Sequence, residues 1–214
     1  VFQSPAIKLH KHGRGCGGVA VFVRNTLLKF VTQVHCAYDN MVSLKLSGDL
    51  LGLDRDVLYI AMYAPPYKSP YYKSTDTTCS IHSLEHFLLE QQENGDDSLI
   101  LINGDLNARI GEWDWPSTED GDPWDNGCAE GETRKSRDKV LNQFGKILTE
   151  FFATFHCLPL NGANRGDTEG KFTFVDSQGN SVIDYAIVSE ELVSCCDMTF
   201  EVGSRVESSH MPIQ

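Results

Sequence analysis

The run SLILING at 98–104 holds four consecutive apolar residues, Leu99 to Ile102, and closes on an Asn-Gly turn. An unbroken apolar run this short marks a strand buried on both faces, which demands covering layers on either side of its sheet. The run SVIDYAIVS at 181–189 has the same character. Ile183, Tyr185 and Ile187 fall on one face, and Asp184 shares the other with Val182, Ala186 and Val188. GVAVFVR from Gly18, VTQVH, MVSLKL and VLYIAMYA read as earlier strands, and CLPLNG, KFTFVD and MTFEVG as later ones. Two stretches have the helical period instead. Ile81, Leu84, Phe87 and Leu88 form one face between Asp76 and Glu93. Val140, Phe144, Ile147, Leu148 and Phe151 follow an expected N-cap at Ser136. Strands at both ends with helices between them predict an α/β fold of two packed, mixed or antiparallel β-sheets with flanking helices, a four-layer α/β sandwich.

With 214 residues, the chain is the length of one domain. No apolar run approaches the roughly 20 residues of a membrane helix, so no membrane partner is expected. The seven cysteines are scattered, with no CxxC pair. That favours a reduced, intracellular setting, nuclear or cytoplasmic. The start at Val1, with no leader-like zones behind it, reads as a cut. Residues 112–133 are rich in acids, contain no Lys or Arg, and carry Trp113, Trp115 and Trp124. They read as an acidic loop insertion. A net charge of −12 argues against gripping nucleic acid by general phosphate neutralisation, although metal-dependent phosphate chemistry gathers carboxylates at its site.

Two glycine-rich motifs fail on context. GRGCGG, Gly13 to Gly18, precedes a strand, whereas a dinucleotide site needs its glycines after one. GDTEGK is too short for a phosphate-binding loop and has Phe172 where Ser or Thr must stand. His10 with His12, His35 with Cys36, and His156 with Cys157 lie in unrelated elements and do not make a zinc set.

Chemistry concentrates at strand ends, where packed sheets build their sites. The segments are YAPP at 63–66, GDLNAR at 104–109, and SVIDYAIVS with SSHMPI at 208–213. On an extended backbone Asp105 and Asn107 point to one side, able to hold a water or metal ion and a phosphate oxygen. A turn after a strand accounts for the same two residues equally well. Asp184 among apolar neighbours needs a partner, and His210 is the natural one, its tautomer fixed by the carboxylate.

In order and spacing, YAPP, GDLNAR, RKSRDKVLNQFGKIL, LPLNGANRGDTEGKFTF, NSVIDYAIVS and SSHMPI resemble the endonuclease domains of non-LTR retrotransposons. Those belong to the endonuclease/exonuclease/phosphatase superfamily of apurinic endonucleases, DNase I and inositol-polyphosphate phosphatases. The resemblance runs from about Gly13 to Ile213. It implies one such domain over 1–214 lacking its first strands, with their Asn and metal-binding Glu. It implies DNA as substrate, Mg²⁺ or Mn²⁺ as cofactor, and a reverse transcriptase domain beyond Gln214. By the same resemblance Asp105 orients or deprotonates the attacking water, with Asn107 beside it on the phosphate. Tyr63 reaches a phosphate oxygen, His210 stabilises charge on the phosphorane, and Asp184 holds His210. Asp105 is also expected at the metal, and Ser209 stands where the family has a second acid. The alternatives are a phosphatase or phospholipid hydrolase on the same fold, and a degenerate domain retained for binding.

Overall fold

The computed structural model describes residues 1–9, 15–75, 79–114 and 133–214. The described chain divides into two units, Val1–Asn107 and Ala108–Gln214. In the first, β1 (Phe2–Ser4) and β2 (Val19–Val21) form an antiparallel ribbon. Then β3 (Val31–Val34) and β5 (Val57–Tyr63) each pair antiparallel with β4 (Met41–Leu46) between them. α1 (Pro70–Ser74) and α2 (Ser80–Glu93) carry the chain across to β6 (Leu99–Asp105), which lies parallel to β5. A parallel pair needs such a crossover, whereas antiparallel neighbours need only a turn. The sequence supplies the burial that holds these elements. Val57, Ile60, Met62, Leu99 and Ile102 are buried along β5 and β6, and Ile81, Leu84, Phe87 and Leu88 along α2.

Register here is set to the last residue, because Tyr63 pairs with Asp105 and Met62 with Gly104. At Gly104, with φ +157°, an added Cβ would lie 1.8 Å from the Met62 carbonyl oxygen. That approach excludes any side chain, and relief would require parting β6 from β5. Gly104→Ala should therefore cost about 2–3 kcal/mol, from overpacking combined with backbone strain. At this chain length the melting temperature should fall by roughly 5–10 °C, read by calorimetry. An unchanged melt would mean that the strand ends yield freely.

The second unit runs α3 (Gln143–Phe155), β7 (Cys157–Pro159), β8 (Phe174–Asp176), β9 (Gly179–Ser181), β10 (Asp184–Ser189) and α4 (Glu190–Cys195). β7 pairs antiparallel with β10, and β8 with β9. α3 buries an aromatic face of Phe144, Phe151, Phe152 and Phe155. It stops at His156, which sits in the left-handed region at φ 47°, and so delivers Cys157 directly into β7.

Three sequence expectations are corrected here. Helix α3 begins at Gln143 with Asn142 as its N-cap, not after Ser136. The reason is chemical: Ser136 Oγ donates to the Asp138 carbonyl, and the Asp138 carboxylate is held by Arg109 and by the Val140 N–H. That leaves Val140 nearly half exposed, not on a buried face. SVIDYAIVS is two strands, since Asp138 takes the Val182 N–H and Thr173 Oγ1 takes those of Ile183 and Asp184, leaving none for a ladder. MTFEVG contributes only one isolated bridge, Val202 to Ile213. Residues 115–132 of the expected acidic insertion, with Trp115 and Trp124, lie outside the described residues, as do His10 and His12. No helix among the described residues is long and apolar enough to cross a membrane.

Candidate active site

Within the first unit, the parallel pairing of β5 and β6 brings Tyr63 and Asp105 side by side at the strand ends. Residues 105–107 do not continue as extended chain. The Asn107 N–H donates to Asp105 Oδ1 at 2.9 Å, closing a turn that places Asn107 at φ 47°, a region Asn tolerates better than most residues. The Asn107 amide nitrogen then donates to Ala64 O at 2.9 Å and to Asp105 Oδ2 at 3.3 Å. Both carboxylate oxygens are thus oriented by one neighbour, and the two readings of GDLNAR, turn and site, are compatible. Burial, with the charge of Asp105 and then Cys16 adding to it, pushes the Tyr63 phenol up. Tyr63 is accordingly a hydroxyl donor at neutral pH. Asn40, which sequence reading passed over, braces this end of the sheet. It is fully buried at φ 63°, accepts the Tyr63 N–H on its carbonyl, and ties in the ribbon through Ser4 and Gly18. Its only sequence signal is a turn-forming Asp-Asn pair.

Within the second unit, His210 Nδ1 lies 3.0 and 3.1 Å from the two carboxylate oxygens of Asp184. An ionised carboxylate only accepts, so the proton on that side belongs to the imidazole and Nε2 is left for another partner. Thr173 builds the pair. It accepts the Asp184 N–H on Oγ1, and its carbonyl accepts the Met211 N–H, next to His210. Phe174 bridges His210 through the backbone and sets its ring against the imidazole at 5.0 Å. Burial pushes the Asp184 carboxyl up, offset in part by His210 and Thr173. Ser209 is half-buried in this closing segment, its carbonyl accepting the Val175 N–H.

A third group, absent from the sequence reading, fixes the loops behind. Arg109 grips Asp138 through Nε at 2.7 Å and a terminal nitrogen at 2.6 Å, and Asp138 also accepts the N–H groups of Val140 and Val182. Arg134, 7% exposed, donates to the carbonyls of Asn161, Gly111 and Trp113. Asn161 in turn donates to the Asp184 carbonyl. Asp167, in the rejected GDTEGK, closes its own loop by accepting from Gly162 and Lys171. In sequence these residues look like any surface charges, and only their partners distinguish them.

Solved structures supply the class of fold. The chain is similar to the endonuclease domain of TRAS1, a telomere-specific non-LTR retrotransposon, at 13% identity and TM-score 0.55, covering 97% of this chain and 76% of that one. It is also similar to the 3′-5′ exonuclease NExo from Neisseria meningitidis, at 14% identity and TM-score 0.51, covering 82% and 63% respectively. The AP endonuclease LMAP from Leishmania major matches at 16% identity and TM-score 0.51, covering 82% of this chain and 53% of that chain. This chain therefore spans less than two thirds of two of these proteins. At such identities the likeness establishes the α/β fold, in agreement with the class expected from sequence. No curated protein matches the chain in sequence. A family model described as endonuclease-reverse transcriptase matches residues 57–214, and the chain belongs to that family.

Proposed function

We propose that the chain is a nuclease that nicks DNA by metal-dependent hydrolysis of a backbone phosphodiester, as the endonuclease of a retroelement. The observation that carries this reading is Asp105, a half-buried carboxylate aimed by Asn107 and set beside Tyr63 at the end of a parallel strand pair, in a chain of the endonuclease-reverse transcriptase family. In the reaction Asp105 orients or deprotonates the attacking water, Tyr63 hydrogen-bonds a phosphate oxygen, and the Asn107 amide exchanges its longer bond, to Asp105 Oδ2 at 3.3 Å, for one to the phosphate. His210, held by Asp184, supports the charge that builds on phosphorus. Hard oxygen ligands are what Mg²⁺ or Mn²⁺ prefers. The Asp105 carboxylate is of that kind, and we assign it and the Ser209 hydroxyl to the metal. When bound, such an ion neutralises phosphate charge and polarises its oxygens. The family description also suggests a reverse transcriptase as the companion activity of the whole protein.

The test is conversion of supercoiled plasmid to open circles, with Mg²⁺ added or chelated. Nicking should require the ion. Ser209→Asp adds a carboxylate, so it should lower the Mg²⁺ concentration for half-maximal rate, by about tenfold if the new ligand is worth about 1.4 kcal/mol. A rate indifferent to chelation would remove the metal from the mechanism, and an unmoved Mg²⁺ curve would take residue 209 out of its site. The net charge of −12 favours a phosphatase or phospholipid hydrolase as the second reading. Release of phosphate or a lipid headgroup without plasmid nicking would select it.

A further inference from the structure

Beyond Tyr63 the chain turns sharply. The Ser69 N–H donates to the Pro66 carbonyl at 2.8 Å, so Tyr67 and Lys68 sit at the two central positions of a turn. Lys68 has φ 68°, a conformation that such turns reserve for glycine or asparagine. A strained non-glycine residue persists only where its surroundings hold it, and residues of this kind gather at functional sites. Here the surroundings do hold it. Ser69 Oγ caps α1 by accepting the Tyr71 N–H at 3.3 Å, and the Tyr72 hydroxyl donates to Pro65 O at 2.7 Å. Ala64 donates its N–H to Asp105 O at 2.8 Å and accepts from the Asn107 amide. The turn is thereby moored to the loop that carries Asp105.

What the turn displays is an aromatic face and a cation. Tyr67 is 54% exposed, and Lys68 Nζ lies 5.5 Å from its ring centroid. The stretch 57–75 contains Lys68 and Lys73 but no Asp or Glu, in a chain of net charge −12. At the turn itself a polyanion meets the Lys68 ammonium and the exposed Tyr67 ring. Proteins that hold nucleic acid combine the same two elements.

We propose that this turn is a DNA-contact element: Tyr67 packs its ring against the base and sugar flanking the scissile phosphodiester, and Lys68 neutralises a neighbouring phosphate. The assignment rests on the endonuclease reading and adds a specific ligand contact to it. Binding of a short fluorescent duplex, with Ca²⁺ in place of Mg²⁺, tests it through anisotropy over a salt series. Tyr67→Ala should raise Kd about 5- to 10-fold. Lys68→Gly should also weaken binding and reduce the slope of log Kd against log salt by about one. Its melting temperature should hold or rise, because glycine relieves the strained φ. Lys29→Ala removes an equal exposed charge elsewhere in the same unit and should weaken binding by less than about twofold, as for a rim charge. If Lys29→Ala acts as strongly as Lys68→Gly, or if the Tyr67 and Lys68 variants bind like wild type, the contact is refuted. Duplex binding that depends on Tyr67 and Lys68 in a chain that fails to nick plasmid would uphold the contact and defeat the endonuclease reading. Nicking with unchanged Kd in both variants would do the reverse.

Discussion

Asp105→Ala should lower the plasmid-nicking rate by about 10³-fold or more while moving the melting temperature by no more than about 4 °C. The rate loss combines two roles on one carboxylate. A positioned base contributes about 10²–10⁴-fold, and an oxygen ligand to a divalent ion adds to that. The stability loss is small because Asp105 is half-buried and its side chain closes a local turn, through bonds to the Asn107 N–H and amide. One such hydrogen bond is worth about 1 kcal/mol net, or about 2–4 °C at this length. Asp105→Asn sharpens the test. Asparagine forms the same turn, so its melt should match wild type, yet it lacks the charge that a base or metal ligand needs. If Asp105→Asn nicks within tenfold of wild type, the chemistry lies elsewhere.

Sequence reading reached what local patterns can encode. Burial periodicity located β4, β5, β6 and the body of both longer helices, and apolar context marked Asp184 as a residue needing a partner. His210 could be paired with it because an imidazole is the natural counterpart of a buried carboxylate, and the two lie 3.0 Å apart. What escaped was set by long-range hydrogen bonds. Ser136 looks like a helix cap, yet Asp138 two residues later is drawn out of any helix by Arg109. SVIDYAIVS looks like one strand, yet side chains from Asp138 and Thr173 claim the N–H groups at its middle. A polar side chain at long sequence separation leaves no periodic trace. Lys68 escaped for a related reason, since nothing in PPYKS announces a positive φ.

Asp138→Ala should destabilise the protein by about 3–5 kcal/mol, the usual cost of breaking a buried ion pair from one side. That is roughly 10 °C or more in melting temperature and a large part of a total stability of about 5–15 kcal/mol. The Asp138 side chain is 2% exposed and meets a guanidinium that is 30% exposed. Arg109 can therefore rehydrate in part, but the N–H groups of Val140 and Val182 lose their acceptor. Asp138→Asn keeps the shape and one acceptor, and its loss should be smaller. The pH dependence gives a second readout. Burial alone would push the Asp138 carboxyl up, but hydrogen bonds from Arg109, Val140 and Val182, with the Arg109 charge, outweigh it and hold the group below its ordinary value. Between the folded value and an unfolded value near about 3.9, the unfolded chain binds the proton that the native chain refuses. The pair's contribution is thus complete above the unfolded value and lost as pH falls through the folded one. Urea midpoints measured from neutral pH down through the acid range should fall more steeply for wild type than for Asp138→Ala. Parallel curves would show that Asp138 is no better stabilised in the folded chain than in the unfolded one. Because Val182 stands two residues before Asp184, Asp138→Asn should also slow nicking in the fraction that remains folded, the effect expected when a backbone that aims a reacting group loosens by even about 1 Å.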